Sequence, residues 1–184
     1  MSTEQADKVT IHNIYDLLIH NDDRNRMIVQ DVRDALTRGR NPVVITERKE
    51  HLLWLENAFA EVKPLFVMRD GMRRKELLSI QQAFASVPEG TPRLLLATGK
   101  FLGEGFDDPR LDTLFLTMPI SWRGTLSLYA GRLHRLYDRK TEVIIYDYAD
   151  TKIPMTLRMF ERRLAGYRAI GYRIMDDGAP VLFY

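Results

Sequence analysis

The stretch "LLLATGKFLGEGFDDPRLDTLFL" (residues 94–116) consists of two apolar runs that enclose a segment rich in glycine and aspartate. Both runs are continuously apolar and do not alternate with polar residues. This pattern is typical of strands that are buried on both faces of a parallel sheet. The segment between them has no helical periodicity, so we predict a loop there. The stretch therefore indicates a parallel sheet with a glycine-containing loop at the end of one strand.

Apolar runs of the same kind recur along the chain and are predicted as strands. They are "VVIT" (43–46), "LFVM" (65–68), "RLLLA" (93–97), "TLFLTM" (113–118) and "EVIIYD" (142–147). Apolar residues at spacings of three and four predict helices over 48–60, 72–86 and 123–136, and flanking helices over 22–38 and from Pro154 onward. Alternating strands and helices favour an α/β fold with three layers, in which helices cover both faces of a central parallel sheet of five or more strands.

Composition and length limit the classes of protein that this chain could represent. The 184 residues suffice for one compact domain, and a formal net charge of +2 means that any basic surface must be local. The absence of cysteine excludes disulfides and cysteine-ligated zinc. No apolar run reaches the roughly 20 residues needed to cross a bilayer, and the first residues lack the apolar core of a signal peptide. We therefore expect a cytoplasmic protein with no membrane partner.

Two groups of polar residues are expected to have structural roles only. The histidines have no spacing that resembles a metal site and are predicted to be surface or capping residues; they are His12, His20, His51 and His134. The arginines of the last helix are predicted to form a solvated face; they are Arg158, Arg162, Arg163 and Arg168.

The loops that follow the strands are the expected ligand-binding positions, because open parallel sheets bind ligands beyond the carboxyl ends of their strands. These loops are "TERK" (46–49), "RDGMRRKE" (69–76), "TGKFLGEGFDDP" (98–109) and "PISWRGT" (119–125). Their glycines and basic residues suit phosphate groups. However, "ATGKF" is not a phosphate-binding P-loop, since Leu94 and Phe101 stand where that motif needs glycine and a hydroxyl residue. The loops contain no recognisable set of groups for breaking a bond.

Two arginines one helical turn apart stand behind a glycine in "YAGRLHRLYDRK" (129–140). Arg132 and Arg135 could stabilise charge on a phosphoryl group that is bound across a domain or subunit cleft. Alternatively, they could pair with Asp138 or Glu142 on the surface.

Taken in order, these segments resemble the second RecA-like domain of superfamily 2 helicases and translocases of the DEAD/DEAH type, in the branch with restriction-enzyme and DNA-repair motors. "NPVVITER" is similar to motif IV, and "RDGMRRKE" to the segment that follows it. "LLLATGKFLGEGFDDPRLDTLFL" is similar to motif V, and "YAGRLHR" to the G-R-x-x-R end of motif VI. The resemblance extends from about residue 40 to 150.

The resemblance implies roles for individual residues. Arg132 and Arg135 would be arginine fingers that reach the γ-phosphate of ATP, and are therefore the candidate catalytic residues. Glu104, Gly105 and Asp107 would line the nucleotide cleft, with Asp107 near the ribose. Nucleic-acid backbone contacts would come from Thr46, Arg48, Gly71, Thr98, Gly99 and Lys100. The nucleic acid is expected to be DNA, and no metal ligand is assigned in this chain.

The resemblance also implies that a second domain is needed to bind ATP. ATP and Mg²⁺ would be held mainly by a first RecA-like domain, supplied in cis or in trans, so this chain alone would be inactive in an ATP-dependent helicase. Within the single domain, residues 1–40 would be a helical lead-in, 41–150 the motif-bearing core and 151–184 a helical extension. Leu128 replaces the glutamine of motif VI. An alternative is therefore a non-catalytic nucleic-acid-binding or regulatory module with a degenerate helicase fold.

Overall fold

The computed structural model describes residues 10–103, 106–121, 126–175 and 181–183. The helices within these residues are α1 (Ile11–Ile19), α2 (Asp22–Thr37), α3 (Lys49–Ala58), α4 (Arg74–Ala85), α5 (Gly99–Gly103), α6 (Ser127–Leu133) and α7 (Pro154–Ala169). The strands are β1 (Pro42–Thr46), β2 (Leu65–Met68), β3 (Leu94–Thr98), β4 (Thr113–Leu116), β5 (Ile144–Asp147), β6 (Ile174–Met175) and β7 (Val181–Phe183).

The strands form one sheet in the order β2-β3-β1-β4-β5-β7-β6. The first five strands in this order are parallel, and Val44 of β1 lies between Leu96 of β3 and Phe115 of β4. Strand β7 pairs antiparallel with β5, and β6 pairs antiparallel with β7. All five predicted strands are confirmed. The antiparallel pair adds an edge that the apolar runs alone did not predict.

Helices cover both faces of the sheet, as predicted. On one face, alternate strand residues such as Val44 and Phe115 form a core with Ile28 of α2 and Leu55 of α3. The other face packs against α4, α5, α6 and α7. Its buried core includes Val43, Leu95, Leu114, Phe84, Phe101, Tyr129 and Tyr167. The three-layer α/β prediction is therefore confirmed.

Local signals in the sequence set several helix ends. Asn21 caps α2 by accepting a hydrogen bond from the backbone N–H of Arg24 at 3.0 Å. Gly39 follows the end of α2 with a φ of 78°, a left-handed conformation that glycine adopts without a steric cost. Pro154 begins α7, where its fixed φ suits the first helical turn.

The predictions for two segments are wrong in part. The segment after β3 was predicted as a loop, but Gly99–Gly103 forms the short helix α5. Its Phe101 is buried against the core and supplies an apolar anchor among glycines. Helix α6 ends at Leu133 instead of continuing to residue 136. The third residue of the apolar pattern that predicted this helix, Leu136, is 97% exposed and therefore adds nothing to the core.

The prediction of a wholly solvated arginine face on α7 is wrong for Arg163. This side chain is 1% exposed and binds both carboxylate oxygens of Asp147, at 2.6 and 2.8 Å. It also donates to the backbone carbonyl of Ile120 at 2.9 Å. Tyr167, one turn further along α7, donates to Asp147 at 3.1 Å. Helix α7 is therefore joined to the ends of β4 and β5 by a buried polar cluster.

Candidate functional site

The predicted ligand-binding loops are gathered at one edge of the sheet, because strands β1 to β5 are parallel and end there. The strand ends at this edge are Thr46, Met68, Thr98, Leu116 and Asp147. Helices α1 and α7 add side chains to the same edge. None of the described helices combines the length and the apolar character that a membrane span requires.

An open cleft of about 430 Å³ lies at this edge. It is lined by Tyr15, Glu47, Gly99, Lys100, Ile120, Ser121 and Met159. Of these residues, Gly99 and Lys100 were predicted individually as nucleic-acid contacts, and Glu47, Ile120 and Ser121 lie in loops that were predicted to bind ligands. Tyr15 comes from α1 and Met159 from α7. The apolar spacing predicted helices in those regions but gave no signal that either helix would border the cleft.

Gly99 links the cleft to helix α6. The Tyr129 hydroxyl, on α6, donates a hydrogen bond to the Gly99 carbonyl. A Cβ atom at position 99 would overlap the Glu47 carboxylate and would lie 2.8 Å from the Tyr129 hydroxyl. Desolvation raises the pKa of the Glu47 carboxyl, and the negative charge of Asp70 raises it further. Desolvation also raises the pKa of the Tyr129 hydroxyl. A side chain at position 99 would therefore have to displace the ends of the Glu47 and Tyr129 side chains.

Thr46 lies beneath the surface of this edge. Its hydroxyl is 3.0 Å from His51 Nδ1 and accepts from the Arg48 backbone N–H at 3.3 Å. His51 Nε2 is 3.1 Å from Asn25 Oδ1, while the Asn25 amide donates to the Ile19 carbonyl at 2.8 Å. A neutral His51 that donates from Nε2 and accepts from Thr46 satisfies this chain of hydrogen bonds. Any role of Thr46 in nucleic-acid contact is thus limited to positioning Arg48.

His51 corrects the prediction that all four histidines are surface or capping residues. His12, His20 and His134 are exposed, and the last two are helix C-caps, as predicted. His51 is 1% exposed, since α3 turns it toward β1 and α2. Burial lowers the pKa of His51 to about 3, and the charge of Arg24 contributes.

We expect His51 to make the fold sensitive to acid. Its pKa is lower in the folded chain than the ordinary value of 6.5, so its stabilising effect is complete above pH 6.5 and declines as the pH falls toward 3. In a comparison with His51→Gln by urea unfolding, the wild-type advantage should shrink by about 1.4 kcal/mol per pH unit over that range. A difference between the two proteins that stays constant with pH would contradict this assignment.

The remaining predicted nucleic-acid contacts differ in accessibility. Lys100 and Gly71 are exposed, and Gly71 has a φ of 89° at the bend before α4. Arg48 is half-buried and forms an ion pair with Asp16 of α1. Thr98 is buried, and its hydroxyl has no hydrogen-bond partner among the described residues. The structure therefore brings these residues to one edge without exposing all of them.

The two candidate arginine fingers meet the loop that contains Asp107. Arg135 forms an ion pair with Asp107 at 2.6 Å, and Arg132 donates to the Phe106 carbonyl. Arg135 does not pair with Glu142, which instead forms an ion pair with Arg40 at 2.8 Å. The predicted nucleotide-cleft residues Glu104 and Gly105 lie outside the described residues.

The donor groups at this loop suit a nucleotide better than a metal ion. Two guanidinium groups offer the forked donors that bind phosphate oxygens, and the Asp107 carboxylate can accept from a ribose hydroxyl. In the part of the chain that the structure describes, no group of three or more histidine, aspartate or glutamate residues could hold a metal ion.

Comparison with solved structures gives three informative similarities. T4 UvsW matches with a TM-score of 0.67 and 16% sequence identity, over 89% of this chain and 36% of that one. The Sulfolobus solfataricus SWI2/SNF2 ATPase core domain matches with a TM-score of 0.58 and 15% identity, over 86% and 37%. The C-terminal part of the Fun30 ATPase domain matches with a TM-score of 0.57 and 14% identity, over 81% and 54%.

These similarities define the class of fold. The chain has a RecA-like α/β fold, which it shares with T4 UvsW and with the Fun30 and SWI2/SNF2 ATPase domains. It spans between 36% and 54% of the length of the three structures. Comparisons with protein-family sequence models and with the sequences of curated proteins give no match. The branch with restriction-enzyme and DNA-repair motors stays a prediction.

Proposed function

We propose that this chain is the second motor domain of an ATP-dependent nucleic-acid helicase or translocase. The proposal rests mainly on the contacts of Arg132 and Arg135 with residues 106–107. These contacts join the segments that resemble motifs V and VI. The ATPase core domains among the similar structures support the same proposal.

In this proposal, the chain contributes charge and position to ATP hydrolysis. Arg132 and Arg135 would leave their present partners and donate to the γ-phosphate oxygens, and Asp107 would accept from the ribose. A first RecA-like domain would hold Mg²⁺ and orient the attacking water. Because that domain would hold Mg²⁺ and orient the water, we expect the chain alone not to hydrolyse ATP.

The cleft at the carboxyl edge would hold the nucleic-acid backbone. Lys100 and Arg48 would contact phosphates, and the main chain near Gly99 and Gly71 could approach closely. Contacts of this kind position a strand without reading its sequence, which suits a protein that moves along it. The Tyr129 contact with Gly99 would connect this track to helix α6, which carries Arg132.

The chain itself allows a test of the nucleic-acid part. Affinity for fluorescein-labelled single-stranded DNA, measured by anisotropy, should fall steeply between 50 and 200 mM salt, as for any protein that binds several phosphates. Lys100→Gln should weaken binding and reduce the slope of log K against log salt by about 0.7, the value for one phosphate contact with a single strand. Lys63→Gln is the matched control, since Lys63 is equally exposed but precedes β2 at the opposite edge.

Equal effects of Lys100→Gln and Lys63→Gln would reject the cleft as the binding site. A different result would favour a non-catalytic nucleic-acid-binding module. In that case binding would depend on salt and Lys100→Gln would weaken it as expected, but no native assembly would hydrolyse ATP.

A further inference from the structure

One side of helix α7 is both basic and unpaired beside the cleft. Arg158 and Arg162 are exposed, and neither forms an ion pair or a side-chain hydrogen bond with any other residue that the structure describes. Met159, between them in sequence, lines the cleft together with Lys100.

Helical geometry places both arginines on the same side of Met159. With about 100° of rotation per residue, Arg162 lies roughly 60° and Arg158 roughly 100° from Met159 in the same direction. Arg168 lies roughly 180° from Met159, on the far side of the helix. Arg158 and Arg162 therefore lie on one side of α7 next to Met159, whereas Arg168, which is also exposed, lies on the opposite side.

The orientation of this helix is fixed by its buried side. Arg163 and Tyr167 bind Asp147 at the end of β5, and Arg163 also binds the Ile120 carbonyl. Ile120 itself lines the cleft. These buried contacts fix the rotation of α7 about its own axis, and therefore fix which side of the helix faces the cleft. Met159, which lies next to both exposed arginines on α7, lines the cleft together with Lys100 and Ser121.

We propose that Arg158 and Arg162 form a basic stripe that extends the nucleic-acid track from the cleft onto α7, where they bind consecutive backbone phosphates of one strand. The proposal rests on the proposed function, because the strand would enter the stripe from the cleft. Three observations support a phosphate backbone as the occupant. The stripe is positively charged, no carboxylate among the described residues pairs with it, and the neighbouring Met159 lines the cleft that contains Lys100. Such a surface would hold the strand without base contacts.

The double variant Arg158→Gln/Arg162→Gln tests this stripe in the intact chain. Glutamine keeps the helix propensity close to that of arginine while removing both charges. With a labelled 20-nucleotide single-stranded DNA, the variant should bind about tenfold more weakly at 100 mM salt. Its slope of log K against log salt should be shallower by about 1.4, or about 0.7 for each phosphate contact. Arg168→Gln is the control on the same helix and should keep most of the wild-type affinity and slope.

Each other outcome has a distinct meaning. If the double variant binds like the wild type while Lys100→Gln binds more weakly, the stripe is not part of the track and the proposed function stands. If Arg168→Gln weakens binding by half as much as the double variant or more, binding follows net charge and the proposal fails. If the wild-type chain does not bind the DNA at all, both the stripe and the nucleic-acid part of the proposed function fail.

Discussion

Arg132→Ala and Arg135→Ala should each lower ATP turnover by about 10³-fold or more in the assembly that contains the first RecA-like domain, which is the usual effect of losing an arginine finger. The reason is electrostatic. A guanidinium that donates to the transferring phosphoryl group stabilises charge that is spread over its oxygens in the transition state. The present contacts with Asp107 and the Phe106 carbonyl show that both side chains reach this loop.

The measurement is the steady-state rate of phosphate release with saturating ATP and nucleic acid. Arg139→Ala is the matched control, because Arg139 follows in the same segment but pairs with Glu89 at 3.5 Å. Turnover of that variant should stay within about twofold of the wild type. Near-normal turnover in both Arg132→Ala and Arg135→Ala would remove the arginine-finger assignment, whatever the control does.

Arg163→Met should lower the free energy of unfolding by about 3–5 kcal/mol, the range found when one partner of a buried ion pair is removed. The variant would leave the Asp147 carboxylate, which is 1% exposed, with the Tyr167 hydroxyl as its remaining partner in this cluster. It would also remove the donor to the Ile120 carbonyl. Urea unfolding followed by circular dichroism measures the change.

Two further variants separate charge from packing in this cluster. Arg162→Met changes the neighbouring, solvent-exposed arginine and should alter stability by no more than about 0.5 kcal/mol. Arg163→Met/Asp147→Asn also removes the unpaired charge of Asp147 and should recover part of the lost free energy of unfolding. A double variant that is no more stable than Arg163→Met would show that the Asp147 charge is not the cause.

The sequence predicted the sheet well, because its five parallel strands are short, continuously apolar and separated by turn residues. Strand ends such as Thr46 and Asp147 followed directly, and so did the gathering of the loops at one edge. The order of the motif-like segments then predicted the RecA-like fold that the structural similarities support. Helix starts with local signals, such as Pro154, were equally predictable.

The sequence could not predict contacts that depend on tertiary packing. Helical spacing places Arg163 beside the apolar face of α7, three residues after Phe160, but nothing in the local pattern indicates that its charge would be buried against Asp147. The burial of His51 could not be predicted either, because its hydrogen-bond partner Asn25 lies 26 residues earlier in the chain. Tyr15 and Met159 border the cleft only because α1 and α7 are folded back against the carboxyl edge.

The most direct test of the central claim is the ATPase activity of the native polypeptide or complex, purified from source cells with an antibody to this chain. The account predicts an assembly larger than 21.5 kDa that contains a first RecA-like domain and hydrolyses ATP faster when nucleic acid is added. A homogeneous 21.5 kDa species without ATPase activity, with or without nucleic acid, would contradict the assignment of a motor domain.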